Sequence, residues 1–268
     1  MLTPLDWAGF GSVSLAGLLF LCVAAFVAGA VDAMVGGGGL IQLPALLLLM
    51  PGGSPVHALA TNKISSLVGT SAAIPTYARR TPLDWPSALL MDVTALAGAV
   101  AGAMSATLLP PKLLTIIVLI ALIGVGLYTL RQPDLGVSEQ ARFGKRRELL
   151  TMTGTGAVLG FWDGLAGPGT GSFLIFVLVG VIGYSFLRAS ATTKLINAAT
   201  NLGALLFFIP TGKVLWGLGS AMACCNLAGS VLGASVAARR GSKFMRRIFL
   251  SVVLALVCTL TWKLASGG

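Results

Sequence analysis

Shifted by 131 residues, this chain overlays on itself. Asp32 falls on Asp163, Gly36 on Gly167, Gly38 on Gly169 and Lys63 on Lys194. Trp85 falls on Trp216, Gly98 on Gly229, Gly102 on Gly233 and Lys112 on Lys243, without a gap. The chain is therefore a tandem duplication, and whatever one half folds into, the other must fold into as well. The most informative stretch in each half has the same order: an aspartate, a run of glycines, then a lysine inside an apolar helix. In the first half these are Asp32, Gly36-Gly37-Gly38-Gly39 and Ala60-Thr61-Asn62-Lys63. In the second they are Asp163, Gly167-Pro168-Gly169-Thr170-Gly171 and Ala191-Thr192-Thr193-Lys194.

The chain is 56% hydrophobic and 10% charged, with mean hydropathy +0.93. Soluble domains carry about 25% charged residues. Long apolar segments recur along the whole length, so the expected class is an all-α, multi-pass integral membrane protein. The net charge of +10 is not read as nucleic-acid binding, because lysine and arginine collect in cytoplasmic loops. The expected partners are membrane lipids and a small anion. Met1 to Gly11 holds Asp6 and no basic residue. A cleaved signal would carry a basic start, so the first helix is expected to be retained.

Ten helical segments are expected, over 12–35, 39–50, 54–78, 84–108 and 112–131, then 147–166, 171–183, 186–209, 214–238 and 243–264. The halves are 1–131 and 147–268, joined by a basic linker over 132–146. The segments 39–50 and 171–183 are too short for a crossing of about 20 residues. Each follows a glycine break and is expected to form a hairpin with the helix before it, either re-entrant or spanning. Placing the linker's Arg142, Lys145 and Arg146 in the cytoplasm, with flanking Arg131 and Arg147, puts Arg79, Arg80, Arg188, Arg239, Arg240, Lys243, Arg246 and Arg247 on the same side. Lys112, Lys213 and Lys263 fall outside. Equivalent loops then face opposite sides, which predicts two inverted repeats of about five segments each, the plan of many secondary transporters.

Asp32, Lys63, Asp92, Asp163 and Lys194 lie within expected spans. Intramembrane charges are costly and face the interior, pair, or mark a pathway. Asp32 with Lys63, and Asp163 with Lys194, are the expected pairs, either pinning the broken helices or carrying a coupling proton. The glycine runs leave backbone N–H groups free at the starts of short helices, where anions bind. Gly36, Gly37, Gly38, Gly39, Asn62, Lys63, Gly167, Gly169, Thr170, Gly171, Thr193, Lys194, Asn197 and Asn201 are the expected substrate contacts. Thr61, Ser65, Thr70, Thr192 and Thr200 could line the same cavity. Asn226 is expected to bond between helices, and Gly98/Gly102 and Gly229/Gly233 to let helices approach closely.

Cys22, Cys224, Cys225 and Cys258 match neither a zinc nor a redox spacing, and His57 stands alone. With no nucleophile–base pair and no metal-ligand cluster, no catalytic residue, metal or cofactor is expected. No ATP-binding P-loop is present, so direct ATP drive would need another chain. An anion channel or a transporter of an unrelated small solute is the alternative.

The motifs Asp32…Gly36-Gly37-Gly38-Gly39-Leu40…Leu43-Pro44, Ala60-Thr61-Asn62-Lys63, Asp163-Gly164…Gly167-Pro168-Gly169-Thr170-Gly171 and Ala191-Thr192-Thr193-Lys194…Asn197 resemble the TauE/SafE family of membrane permeases. The resemblance covers nearly the whole chain. It implies transport of sulfite, a sulfonate such as sulfoacetate, or another organosulfur anion, mostly as export. From the residues themselves, the expected drive across the cytoplasmic membrane is a proton carried by Asp32 or Asp163, or the membrane potential acting on an anion.

Overall fold

Helix ends follow from local chemistry. Ser14 accepts a hydrogen bond from the Gly17 N–H at 3.2 Å and so starts α1, Leu15–Val35. Gly36, at φ 75°, ends it in the left-handed conformation that only glycine adopts without strain, donating to the Asp32 carbonyl at 2.8 Å. There follow α2 (Gly39–Leu49), α3 (Pro55–Ala78) and α4 (Trp85–Ser105). The second half gives α5 (Lys145–Leu165), α6 (Thr170–Phe176, continued by a π-helical turn over Val177–Ile182), α7 (Phe186–Phe208) and α8 (Trp216–Ala265). This computed structural model describes residues 9–10, 13–49, 55–106 and 143–265, and no strand occurs among them. The segment expected over 112–131 and nearly all of the linker lie outside the described residues.

The segments expected over 214–238 and 243–264 are both helical and meet at a kink at Gly241 (φ 72°, ψ −173°), within α8. One expected boundary changes. The linker ends sooner, because Lys145 and Arg146 already belong to the first turn of α5. Prolines 44 and 75 stand inside helices rather than at their ends.

Among the described residues, three helical stretches are long and apolar enough to cross a membrane: Leu15–Val35, Trp85–Ser105 and Trp216–Gly241. Helices α3, α5 and α7 are as long, at 24, 21 and 23 residues. Polar residues dilute their apolar character: lysine, asparagine, serine and threonine on α3 and α7, and the charged start and Asp163 on α5. Helix α2 has 11 residues, about 16 Å at 1.5 Å per residue, against a hydrocarbon core of about 30 Å. It is too short to cross alone.

The helices pack across the halves, through glycines. A Cβ on Gly29 of α1 would lie 2.3 Å from the Asn226 carbonyl oxygen of α8, and one on Gly160 of α5 would lie 2.2 Å from the Ala95 oxygen of α4. Gly98 meets Ala157 as Gly229 meets Phe26, and Gly102 meets Phe161 as Gly233 meets Ala30. Each contact maps onto its counterpart at the 131-residue offset with the partners' halves exchanged. Asn226 bonds between helices as expected, donating to Gln42 Oε1 at 2.8 Å and accepting from Ser230 at 3.2 Å.

Gly102→Val is expected to lower the stability of the detergent-purified protein by about 1–3 kcal/mol, since its Cβ would stand 1.9 Å from the Phe161 oxygen. Gly154→Ala, at a helix position with nothing within 4 Å, should be neutral or slightly stabilising. Thermal unfolding of both variants checks this; equal midpoints would remove the close-packing argument.

Candidate functional site

The two glycine breaks meet. A Cβ on Gly36 would fall 2.4 Å from the Gly171 carbonyl carbon, and one on Gly171 would fall 2.4 Å from the Gly36 oxygen. Neither position has room for a side chain, so backbone crosses backbone where α1 gives way to α2 and α5 to α6. Gly167 and Gly169, at φ 83° and 84°, shape the second break as Gly36 shapes the first. Thr170 Oγ1 donates to the Gly167 carbonyl at 2.9 Å, and the Trp162 indole N–H donates to the Pro168 carbonyl at 3.2 Å.

Around this crossing lies a small cavity of about 30 Å³. It is lined by Asp32 and Gly36 of α1 and its cap, Gly39 of α2, and Asn62, Lys63, Ser66 and Thr70 of α3. The other half contributes Asp163, Gly167, Gly169, Thr170 and Gly171, with Asn197 and Asn201 of α7. Thirteen of the expected residues therefore meet here, Thr70 among them. Gly37, Gly38, Thr193 and Lys194 do not line the space. Gly38 donates its N–H to Asp32 Oδ1 at 3.4 Å, and Thr193 is fully buried with its hydroxyl unpaired.

The ion pairs run the other way from expectation. Lys63 Nζ bonds Asp163 Oδ2 at 2.6 Å, and Lys194 Nζ bonds Asp32 Oδ2 at 2.6 Å. Each lysine pairs with the aspartate of the opposite half, not of its own. The crossing explains this: it brings the end of α1 against α7 and the end of α5 against α3. Both lysines are almost completely buried, at 1% and 0% exposure, and an unpaired charge there would be very costly.

The cavity also holds polar groups with nothing to bond. Asn62, Asn197 and Asn201 are 4%, 7% and 5% exposed. The amide oxygens of Asn62 and Asn197 have no partner among the described residues. Buried amides are almost always bonded, so these two acceptor oxygens are exceptions in this fold. Ser66 was not anticipated. The signal was available: subtracting 131 from Asn197 and Asn201 gives Ser66 and Thr70, one turn and two turns beyond Asn62. Asp92, the remaining intramembrane charge, stands on α4 outside this cavity, with Oδ1 unpaired.

A second cavity, about 140 Å³, lies at the starts of α4, α5 and α7 and is lined by Asp84, Lys145, Glu148, Tyr184 and Arg188 among others. Its groups engage one another. Lys145 pairs with Asp84, the Tyr184 hydroxyl donates to Glu148 at 2.6 Å, and the Arg188 guanidinium sits 4.0 Å from the Tyr184 ring centre. The Lys145 hydrogen bond holds the Asp84 carboxyl below the usual carboxylate range, and burial pushes the Tyr184 phenol up. Among the described residues no cluster could hold a metal ion.

The family model described as "Sulfite exporter TauE/SafE" matches residues 21–260. The chain belongs to the TauE/SafE family. It is similar to "Probable membrane transporter protein ORF9" of Sinorhizobium sp, at 38% identity over 91% of this chain and 92% of that protein. "Probable membrane transporter protein YfcA" of Escherichia coli K12 is 35% identical, over 89% of this chain and 86% of the relative. A "Probable membrane transporter protein" of Haemophilus influenzae is 32% identical, over 87% and 89%. No solved structure matches. A TauE/SafE chain is a membrane permease rather than an enzyme.

A double-mutant cycle tests the pairing. Asp32→Asn and Lys194→Met are expected to be coupled by at least about 1 kcal/mol in thermal stability, and Asp32→Asn with Lys63→Met to be additive within about 0.5 kcal/mol. The reverse result would restore pairing within each half.

Proposed function

We propose that this permease is a secondary transporter that moves a small anion, sulfite or an organosulfonate such as sulfoacetate, out of the cell by alternating access. The site is the cavity where the two glycine breaks cross. The observation that carries the reading is Lys63, with a single bonded partner among the described residues, lining a buried polar cavity together with the side-chain amides of Asn62 and Asn197. An amide NH2 and an ammonium donate to sulfonate or sulfite oxygens, and the irregular glycine backbone allows close approach. The family description supports the sulfur class.

The repeats are inverted in this reading. Support comes from the contacts that recur at the 131-residue offset with partners exchanged, Gly29–Asn226 with Gly160–Ala95 and Gly98–Ala157 with Gly229–Phe26. A two-fold axis relates such contacts, and in a membrane an axis lying in its plane gives the alternating loop charge seen in the sequence. Broken helices at such an axis are where transporters hold substrate. The chain lies in the cytoplasmic membrane with Arg79, Arg80 and Arg239 to Arg247 inside. An inside-negative potential favours export of an anion by about 2.3 kcal/mol per charge per 100 mV, so export needs no coupling ion, although Asp32 and Asp163 offer places for a proton.

Proteoliposomes of the purified protein, given radiolabelled sulfite, sulfoacetate or taurine, test this. Saturable movement of at least one of these, accelerated by a potential positive on the receiving side, is expected. Asn62→Leu with Asn197→Leu should cut it more than about tenfold, since each lost bond to a charged group is worth about 1.5–3 kcal/mol. If none moves while an unrelated control transporter works, the sulfur-anion reading falls.

A further inference from the structure

We infer that the two symmetry-related lysines divide the work: Lys63 binds the transported anion, and Lys194 is a positioning residue that locks the end of α1. The inference rests on the transporter reading and names which cation of that site meets the solute.

By sequence the two lysines are equivalent, yet their settings differ. Lys194 Nζ donates to both the carboxylate and the main-chain carbonyl of Asp32. That carbonyl belongs to the last turn of α1 and also accepts the Gly36 N–H. A cation there satisfies exposed carbonyls and meets the negative end of the helix dipole. Asp32 Oδ1 accepts the Gly38 N–H in addition. Lys194 thus ties together the end of α1, the first glycine break and α7. It is 0% exposed and does not line the cavity.

Lys63 has one partner among the described residues, Asp163 Oδ2. An ammonium carries three donors, so two remain unused. Lys63 lines the cavity, and its Nζ reaches the Gly167 turn, 3.4 Å from where a Cβ would stand. Asn62 and Asn197, with amide oxygens unpaired, border the same space. An oxyanion placed there finds the unused N–H groups of Lys63 and the amide N–H groups together. No such set surrounds Lys194. The anion needs a cation that faces the cavity with donors to spare, and a structural cap needs one engaged by the helix end and turned away from the cavity. The duplicated lysine supplies both.

Two neutral double variants test this, because each removes a whole pair and leaves no lone buried charge. Binding of isethionate, sulfite and sulfoacetate to purified full-length protein is measured by isothermal titration, with the thermal midpoint recorded in parallel. Lys63→Met/Asp163→Asn is expected to weaken binding more than about tenfold while its midpoint moves little. Lys194→Met/Asp32→Asn is expected to lower the midpoint by roughly 5 °C or more while binding by the folded protein weakens less than about fivefold, the loss of a held site rather than of a contact. Equal loss of affinity in the two, or a larger loss in the second, overturns the division of labour while the transporter reading stands. If the first variant does not fold, the affinity of the second still decides, since a loss of more than about tenfold there overturns the inference. Wild-type protein that binds none of the three anions overturns the inference together with the reading beneath it.

Discussion

Everything at the centre of this protein depends on neutralising two lysines in an apolar interior. Desolvating an ammonium costs several kcal/mol unless a carboxylate at hydrogen-bond distance compensates. Lys63 and Lys194 find that carboxylate only in the opposite half, at 2.6 Å in each case. Neither half could bury its own lysine alone, so the ion pairs oblige the halves to assemble. The glycine contacts of α1 with α8 and of α4 with α5 make the same demand in packing terms, because each glycine groove is filled by a helix of the other half. Electrostatics and packing therefore specify one interlocked arrangement.

The duplication supplies a frame, and departures from it supply a site. Along α3 the cavity face reads Asn62, Ser66 and Thr70; the equivalent face of α7 reads Thr193, Asn197 and Asn201. Asn62 lines the space while its counterpart Thr193 is sealed away. At the breaks, the Gly38 N–H reaches Asp32 in the first half, whereas in the second the Trp162 indole reaches Pro168. These substitutions leave the framework two-fold and the lining one-sided. A solute that is itself asymmetric is recognised better by such a lining.

Much of this was legible in the residues. Apolar length gave the helices to within a few positions, glycine runs gave the breaks, and the 131-residue offset gave the equivalence of the halves. The offset did not give the ion pairs. It states which residues are alike, not which ones touch, and in interlocked repeats like residues sit on opposite sides of the crossing. Asp32 and Lys63 are near in sequence and belong to one half, which made them natural partners until the crossing of Gly36 with Gly171 is seen. Ser66 was missed for a related reason: serine is unremarkable in a helix, and only its equivalence to Asn197 marks it. The break between 238 and 243, by contrast, was legible, and it falls at Gly241, whose positive φ turns the chain between two helices.

The cavity of about 30 Å³ has room for water and little more. A solute larger than water would fit there only if the lining parted. The glycine grooves resist shear within α1–α8 and within α4–α5, since sliding either would drive a carbonyl into a neighbouring Cα. The breaks resist less: their glycines have no side chains to interdigitate, and Gly36 and Gly171 meet by backbone alone. Motion that opens the site is therefore cheapest as a pivot at the crossing, with each cross-half helix pair moving as a unit. Such a pivot leaves the Lys194 lock on α1 intact and changes the space beside Lys63, which is where the unpaired amides already stand.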